Sequence, residues 1–172
     1  MDIRRLEPED QPALERFLAG IPEGDRTFFK EDVSDPAVVA AWSRLGAARS
    51  VAVDDGVVLG YVGVFPLQGW SSHVGEVRVV VDPEHRGRGI GRALSQHALL
   101  ASLGLGLRKM VVEVVADQQA TIALFRSLGF HPEALLGDHV RDRTGELRDL
   151  MVLAHSVDAS VASLAAVGLD DG

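Results

Sequence analysis

Three glycines in five residues, Gly87, Gly89 and Gly91, join a run of β-branched residues to an apolar stretch of helical period, and this junction constrains the chain more than any other segment. The run Val77-Arg78-Val79-Val80-Val81 reads as a strand ending at Asp82-Pro83, and a helix follows from about Gly91 to Leu103. A strand that enters a helix through glycines points free backbone N–H groups and the positive end of the helix dipole at one spot. Glycine suits that spot because an anion reaches the backbone only where no Cβ intervenes, and a tight turn can demand a positive φ. Arg86, Arg88 and Arg92 surround it in a chain whose net charge is −8. A glycine turn that merely connects strand to helix is the structural alternative. The arginines argue for an anion site.

The residues narrow the anion. No Gly-Lys-Ser/Thr follows, which excludes a nucleoside-triphosphate P-loop. Gly87 and Gly89 supply the first two glycines of a dinucleotide loop, and Glu113 on the next strand falls where a ribose-binding acid would stand, but position 92 is arginine. About 80 residues of other elements precede the loop, leaving too little chain after it for the second half of that fold, so a dinucleotide fold stays open only as a minor alternative.

The 172-residue chain, 47% hydrophobic, is expected to form a single domain over 1–156 with a tail over 157–172. It has no cysteine, so disulfides, thiolate nucleophiles and cysteine-ligated zinc are excluded. Six histidines lack metal-type spacing, and no metal is expected. Met1 to Glu7 lacks the apolar core of a signal peptide, and the apolar run Ala98 to Leu107 is broken by Ser102, Gly104 and Gly106. The expectation is a cytoplasmic protein without membrane or nucleic-acid partners, since its acidity opposes broad phosphate contact.

Along the chain, Asp2 to Leu6 reads as a strand and Asp10 as a helix cap, with Leu14, Phe17, Leu18 and Ile21 on one helical face. A loop through Asp32 leads to a second helix from Asp35-Pro36 to Gly46. Strands follow over 51–53 and 57–65 around the turn Asp54-Asp55-Gly56, then over 74–81. Beyond the glycine loop come a strand from Lys109 to Val115, a helix capped by Asp117 and closed at Gly129, and strands near 136–140 and 148–153. Val157, Val161 and Leu164 could form a short C-terminal helix.

The segment Val79 to Leu94, with Arg86, Gly89 and Gly91 in register, resembles the acyl-CoA signature Gln/Arg-x-x-Gly-x-Gly/Ala of the GNAT superfamily of N-acetyltransferases. Ala120 to Phe130 resembles that family's following helix, and the element order agrees along 1–155. The resemblance implies an α/β (α+β) fold with a mixed, mostly antiparallel sheet of six to seven strands and about four helices. It implies acetyl transfer from acetyl-CoA to a small-molecule or protein amine by direct attack, with homodimers common among relatives. The backbone of Val79, Val80 and Val81 would hold the pantetheine arm. Arg86, Gly87, Arg88, Gly89, Ile90, Gly91 and Arg92 would hold the diphosphate.

The same resemblance makes Glu76 the candidate general base, against the alternative of an ordinary strand carboxylate. Gln118 stands where the family often has asparagine. Phe125 stands at the cofactor position where many members have a proton-donating tyrosine, and it cannot donate. That departure motivates a second reading, an acyl-CoA-binding module without turnover. Trp42, Trp70, Phe28 and Phe29 are candidate pocket aromatics. Glu23 to Arg26, with Glu31 and Asp32, form an acidic segment suited to covering a cationic acceptor.

Overall fold

The computed structural model describes residues 1–26, 29–44 and 48–158. Seven strands form one sheet in the order β1-β2-β3-β4-β5-β7-β6. They are β1 (Asp2–Arg5), β2 (Ala48–Asp54), β3 (Val57–Pro66), β4 (Val74–Val81), β5 (Lys109–Val115), β6 (His131–Arg141) and β7 (Leu147–Ser156). The helices are α1 (Gln11–Gly20), α2 (Glu23–Arg26), α3 (Pro36–Ala41), α4 (Ile90–Gly104) and α5 (Gln119–Ser127). Every strand pairing is antiparallel except β4 with β5. A doubly wound dinucleotide fold requires a run of parallel strands, so that alternative is excluded.

The sheet's period of two sorts side chains into two cores. Val62, Val77, Met110, Val112 and Leu153 face α4 and α5, where Ile90, Leu94, Ala98, Ile122 and Phe125 meet them. Val51 and Tyr61 face the other way, against Leu14, Phe17 and Leu18 of α1, Val39 of α3 and Trp42. The helical spacing of Leu14, Phe17 and Leu18 is thus the stripe that buries α1.

Several expected boundaries move for physical reasons. Asp10 stands at the N-cap of α1 as expected, but its side chain makes no cap bond: its own backbone is already helical, and its buried carboxylate accepts from the Glu7 N–H at 3.0 Å and from Arg4 at 2.6 and 2.7 Å. Asp117 does not cap α5, because Arg148 holds its carboxylate at 2.7 Å and Gln118 takes the cap position. The polar stretch after Pro22 contains the one-turn α2. The second helix is described to Ala41, while Leu45, Gly46, Val161 and Leu164 lie outside the described residues. Strands β6 and β7 run longer than expected because they pair with each other across two register shifts.

Arg4 holds the Asp10 carboxyl below the usual carboxylate range. Asp10→Ala should destabilise the fold by about 1–3 kcal/mol at pH 7. A depressed folded pKa gives stability that is complete above the unfolded value, about 3.9, and lost as pH falls through the folded one. Denaturant unfolding should therefore show the wild-type advantage over Asp10→Ala at pH 7 and a smaller one at pH 3.

Candidate active site

The site is made by a parting of two strands. β4 and β5 are registered only at Val74 with Lys109, Gly75 with Met110 and Glu76 with Val111. Beyond Glu76 they separate, while β3 still pairs with β4 as far as Val81 and β7 still pairs with β5 as far as Val115. Each strand is thus secured on its outer side, and the gap between them opens toward the glycine loop at the end of β4 and toward Gln118 at the end of β5. Val74 O accepts from Leu67 and Asp82 N donates to Leu59 O, so alternation turns the even-numbered backbone groups of β4 toward β3. Val79 and Val81 turn theirs toward the gap. Val80 does not: its N–H and C=O face Tyr61 on β3, and it leaves the set expected to bind through the backbone.

At the mouth of the gap, Gly87 and Gly89 have φ of +77° and +80°, with Gly89 as the N-cap of α4. A Cβ added at either would meet no protein atom within 4 Å, so positive φ and an open approach both account for glycine here. The amides of Gly87, Arg88, Gly89, Ile90, Gly91 and Arg92 have no acceptor among the described residues. Helix formation begins with Ala93 N donating to Gly89 O at 3.0 Å. The Arg86 amide instead turns back weakly to Pro83 O at 3.5 Å, which removes it from that cradle.

The arginine side chains are held by surface contacts that a phosphate could exchange. Arg86 pairs with Asp25 at 2.6 Å and Arg92 donates to Ser127 Oγ at 2.8 Å, while Arg88 is exposed. Exposed pairs of this kind contribute little. Ile90 contributes its amide to the cradle and its side chain to the core. Gly91 lies beside Leu124, where a Cβ would make ordinary contact at 3.4 Å. An unpaired run of amides at a helix start, rimmed by arginines, fits a diphosphate.

Where the strands part, one face of the sheet carries a chain of charges. Glu76, 7% exposed, accepts from Arg78 Nε at 3.0 Å and Arg78 Nη2 at 3.2 Å, and its Oε1 lies 2.8 Å from Lys30 Nζ. The same ammonium lies 2.7 Å from Glu113 Oε2 on β5, so Lys30 bridges the two strands. Beside it, Glu31 accepts from Arg49 at 3.1 Å and lies 3.8 Å from Arg78. Arg49 is buried, donates to the Tyr61 hydroxyl at 3.1 Å and lies over the rings of Trp42 and Phe65.

Burial alone would push the Glu76 carboxyl up, but Arg78 and Lys30 outweigh it and hold the group below its usual range. For Lys30, burial opposes the charge, and Glu113 and Glu76 reverse that effect and raise its pKa. Burial drives the Tyr61 hydroxyl far above its usual range. It is a core group on Arg49, with no part in proton transfer at neutral pH.

Other sequence candidates separate. Phe125 is 0% exposed and packs edge-on against Phe130 with ring centroids 5.1 Å apart, so it has no surface for a cofactor. Trp42 is core, stacked between Phe29 and Tyr61, and Trp70 is 96% exposed on the β3–β4 connection. Neither lines the gap, and Phe28 lies outside the described residues. Gln118, half-buried at the start of α5, has no side-chain partner among the described residues. Glu23 and Asp25 are taken by Arg143 and Arg86, and Asp32 by Ser34. The sequence alone assigns no role to Lys30, Arg49 or Arg78, and it offers Glu113 only under the minor dinucleotide alternative. Arg49, Arg78 and Glu113 are signalled locally only as charges on strands rich in valine, and Lys30 only as a charge in the polar segment before α3.

Among the described residues, no group of three His, Asp or Glu is placed to hold a metal, and no helix is long and apolar enough to cross a membrane.

The acetyltransferase (GNAT) family matches residues 13–130. The chain is 29% identical over 157 residues to the uncharacterized N-acetyltransferase YjgM of Escherichia coli (strain K12), covering 86% of this chain and 94% of that protein. It superposes on a ribosomal-protein-alanine N-acetyltransferase from Brucella melitensis with a TM-score of 0.79 and 26% identity, covering 91% of this chain and 99% of that one. The yncA structure from Salmonella typhimurium, solved with its cofactor acetyl-CoA, has a TM-score of 0.78 at 23% identity, covering 91% and 93% of the two chains, a likeness of fold. With a family match over most of its length and the parted strands and amide cradle of its own structure, the chain belongs to the GNAT acetyltransferase family and is an acetyl-CoA-dependent N-acetyltransferase.

Proposed function

We propose that the diphosphate of acetyl-CoA lies against the amides of Gly87 to Arg92, that the pantetheine arm bonds to Val79 and Val81, and that a primary amine enters beside Glu76. The observation that carries this reading is the coincidence of unpaired amides at the start of α4 with the gap between β4 and β5. The cradle supplies hydrogen bonds to charge, and the gap supplies strand-like bonds to an extended amide chain. Arg88 and Arg92 add charge at the rim. Gln118 offers an amide at the far wall of the gap.

The bound cosubstrate supplies an acetyl thioester; the chain orders and deprotonates the acceptor. An ammonium must lose a proton before its nitrogen can attack, and Glu76, ionised at neutral pH, accepts it directly or through water. In balance, R–NH3+ and the acetyl thioester give the amide, CoA thiol and one proton. The C–S bond breaks as the C–N bond forms, and the proton leaves through Glu76 to solvent. No tyrosine replaces the missing donor at Phe125, since Tyr61 is buried on Arg49. Thiols have a pKa of about 8.5, so water suffices to protonate the departing sulfur. Phe125 therefore does not require a silent module.

Calorimetry should show saturable binding of acetyl-CoA and much weaker binding of pantetheine, which lacks the diphosphate. Thiol release should then appear with a primary amine from a panel of amino acids, small amines and peptide N-termini. Equal affinity for pantetheine, or binding without release from any acceptor, would contradict the proposal.

A further inference from the structure

Resting on that transferase reading, we infer that the acceptor is a small zwitterion of the amino-acid type, its ammonium held by Glu76 and Glu113 and its carboxylate by Arg49 and Arg78. In this structure the adjacent side chains of Lys30 and Glu31 occupy those two subsites in its place. Lys30 puts an ammonium 2.8 Å from Glu76 and 2.7 Å from Glu113, across the point where β4 and β5 part. Glu31 puts a carboxylate 3.1 Å from Arg49 and 3.8 Å from Arg78. Arg78 joins the subsites, since its other nitrogens bind Glu76 at 3.0 and 3.2 Å. An ammonium and a carboxylate side by side, each in a site of opposite charge, is the pattern a free amino acid presents.

Two independent observations point the same way. Buried Arg49 keeps one guanidinium nitrogen, Nη1, without any acceptor among the described residues, which leaves it a donor that Glu31 does not use. A buried donor left unpaired costs free energy, and a ligand carboxylate is the acceptor that would satisfy it. Second, the occupying side chains are the displaceable part of the network. By side chain alone, Lys30 is 46% exposed and Glu31 30%, against 9% for Glu76 and 3% for Arg49. They lie in a strap, residues 29–33, whose ends, Phe29 against Trp42 and Val33 in the core, are anchored by apolar contacts rather than by these charges. The two side chains can therefore swing out while the strap stays seated. A cleft of about 280 Å3 at Lys109, Glu133 and His155 contains none of these groups.

The test uses the full chain, acetyl-CoA and a matched trio: L-leucine, L-leucinamide and isoamylamine. Only the first has a carboxylate. L-Leucine should exceed both others at least ten-fold in kcat/KM, the scale of one charge-assisted contact. In the double variant Lys30→Met with Glu31→Gln, both subsites lose their internal competitor, and the KM for L-leucine should fall roughly ten-fold if about a tenth of wild-type molecules have the strap's charges displaced. Calorimetry of L-leucine with the double variant, without acetyl-CoA, should show the same gain over wild type. Equal use of the amide or the amine, a preference for peptide N-termini, or no gain in leucine binding would overturn the inference. Acetyl-CoA calorimetry on the same samples separates the two levels, because loss of that binding would refute the transferase reading instead.

Discussion

Gly89→Val should lower acetyl-CoA affinity on the order of 100-fold, the loss expected when two charge-assisted hydrogen bonds of about 1.5 kcal/mol each are blocked. The left-handed backbone of Gly89, φ +80°, opens its amide and those of its neighbours outward, and the adjacent space holds no protein atom within 4 Å. A Cβ there meets nothing of the protein, and the methyls of an isopropyl group obstruct whatever approaches the cradle. The variant also carries a backbone penalty of about 1–2 kcal/mol, because a β-branched residue is poorly suited to positive φ. Gly106→Val is the control, since Gly106 also has positive φ, +67°, in open space at the far end of α4. Both variants should lose similar stability in thermal unfolding, and only Gly89→Val should lose acetyl-CoA in calorimetry. Parallel losses of affinity would mean that strain, not access, explains the glycine.

Glu76→Gln should reduce kcat by on the order of 100-fold or more while changing acetyl-CoA affinity little, because the amide that replaces the carboxylate cannot take a proton. Glu76 lies where the two strands separate and is the group shared by Arg78 and Lys30. Its loss leaves two cations facing a neutral side chain, so part of the effect is structural and must be measured by unfolding. The pH profile separates the roles. The wild-type rate should fall on the acid side as Glu76 protonates, below the usual carboxylate range because Arg78 and Lys30 favour its charge against burial. Glu76→Gln should lose that acid limb. A variant that keeps both the limb and the rate would remove Glu76 as base.

What the sequence showed and what it hid divide along chain separation. The glycine loop was legible because the strand, three glycines, three arginines and a helix start are contiguous, and their physics is local. The strands β4 and β5 were legible as β-branched runs with the bounds now observed. The acid and base network was not legible, because Lys30, Arg49, Arg78 and Glu113 come from a strap and three strands, and only the folded sheet brings them to one face. Phe125 was misplaced for a related reason: its position on α5 follows from the motif, but its burial depends on Phe130 and the core behind it. Asp10 and Asp117 misled as caps because each found an arginine, Arg4 and Arg148, that offers a stronger bond than a helix N–H. Val80 was separable from Val79 and Val81 only once pairing with β3 fixed which backbone groups point inward.

The central claim is that amides at the start of α4 receive the diphosphate. Backbone amide spectra of Gly87 through Arg92, recorded while acetyl-CoA is titrated to saturation, test it most directly. The account predicts large, saturating shifts at these amides and slowed hydrogen exchange. Saturable binding that leaves all six unmoved would contradict it.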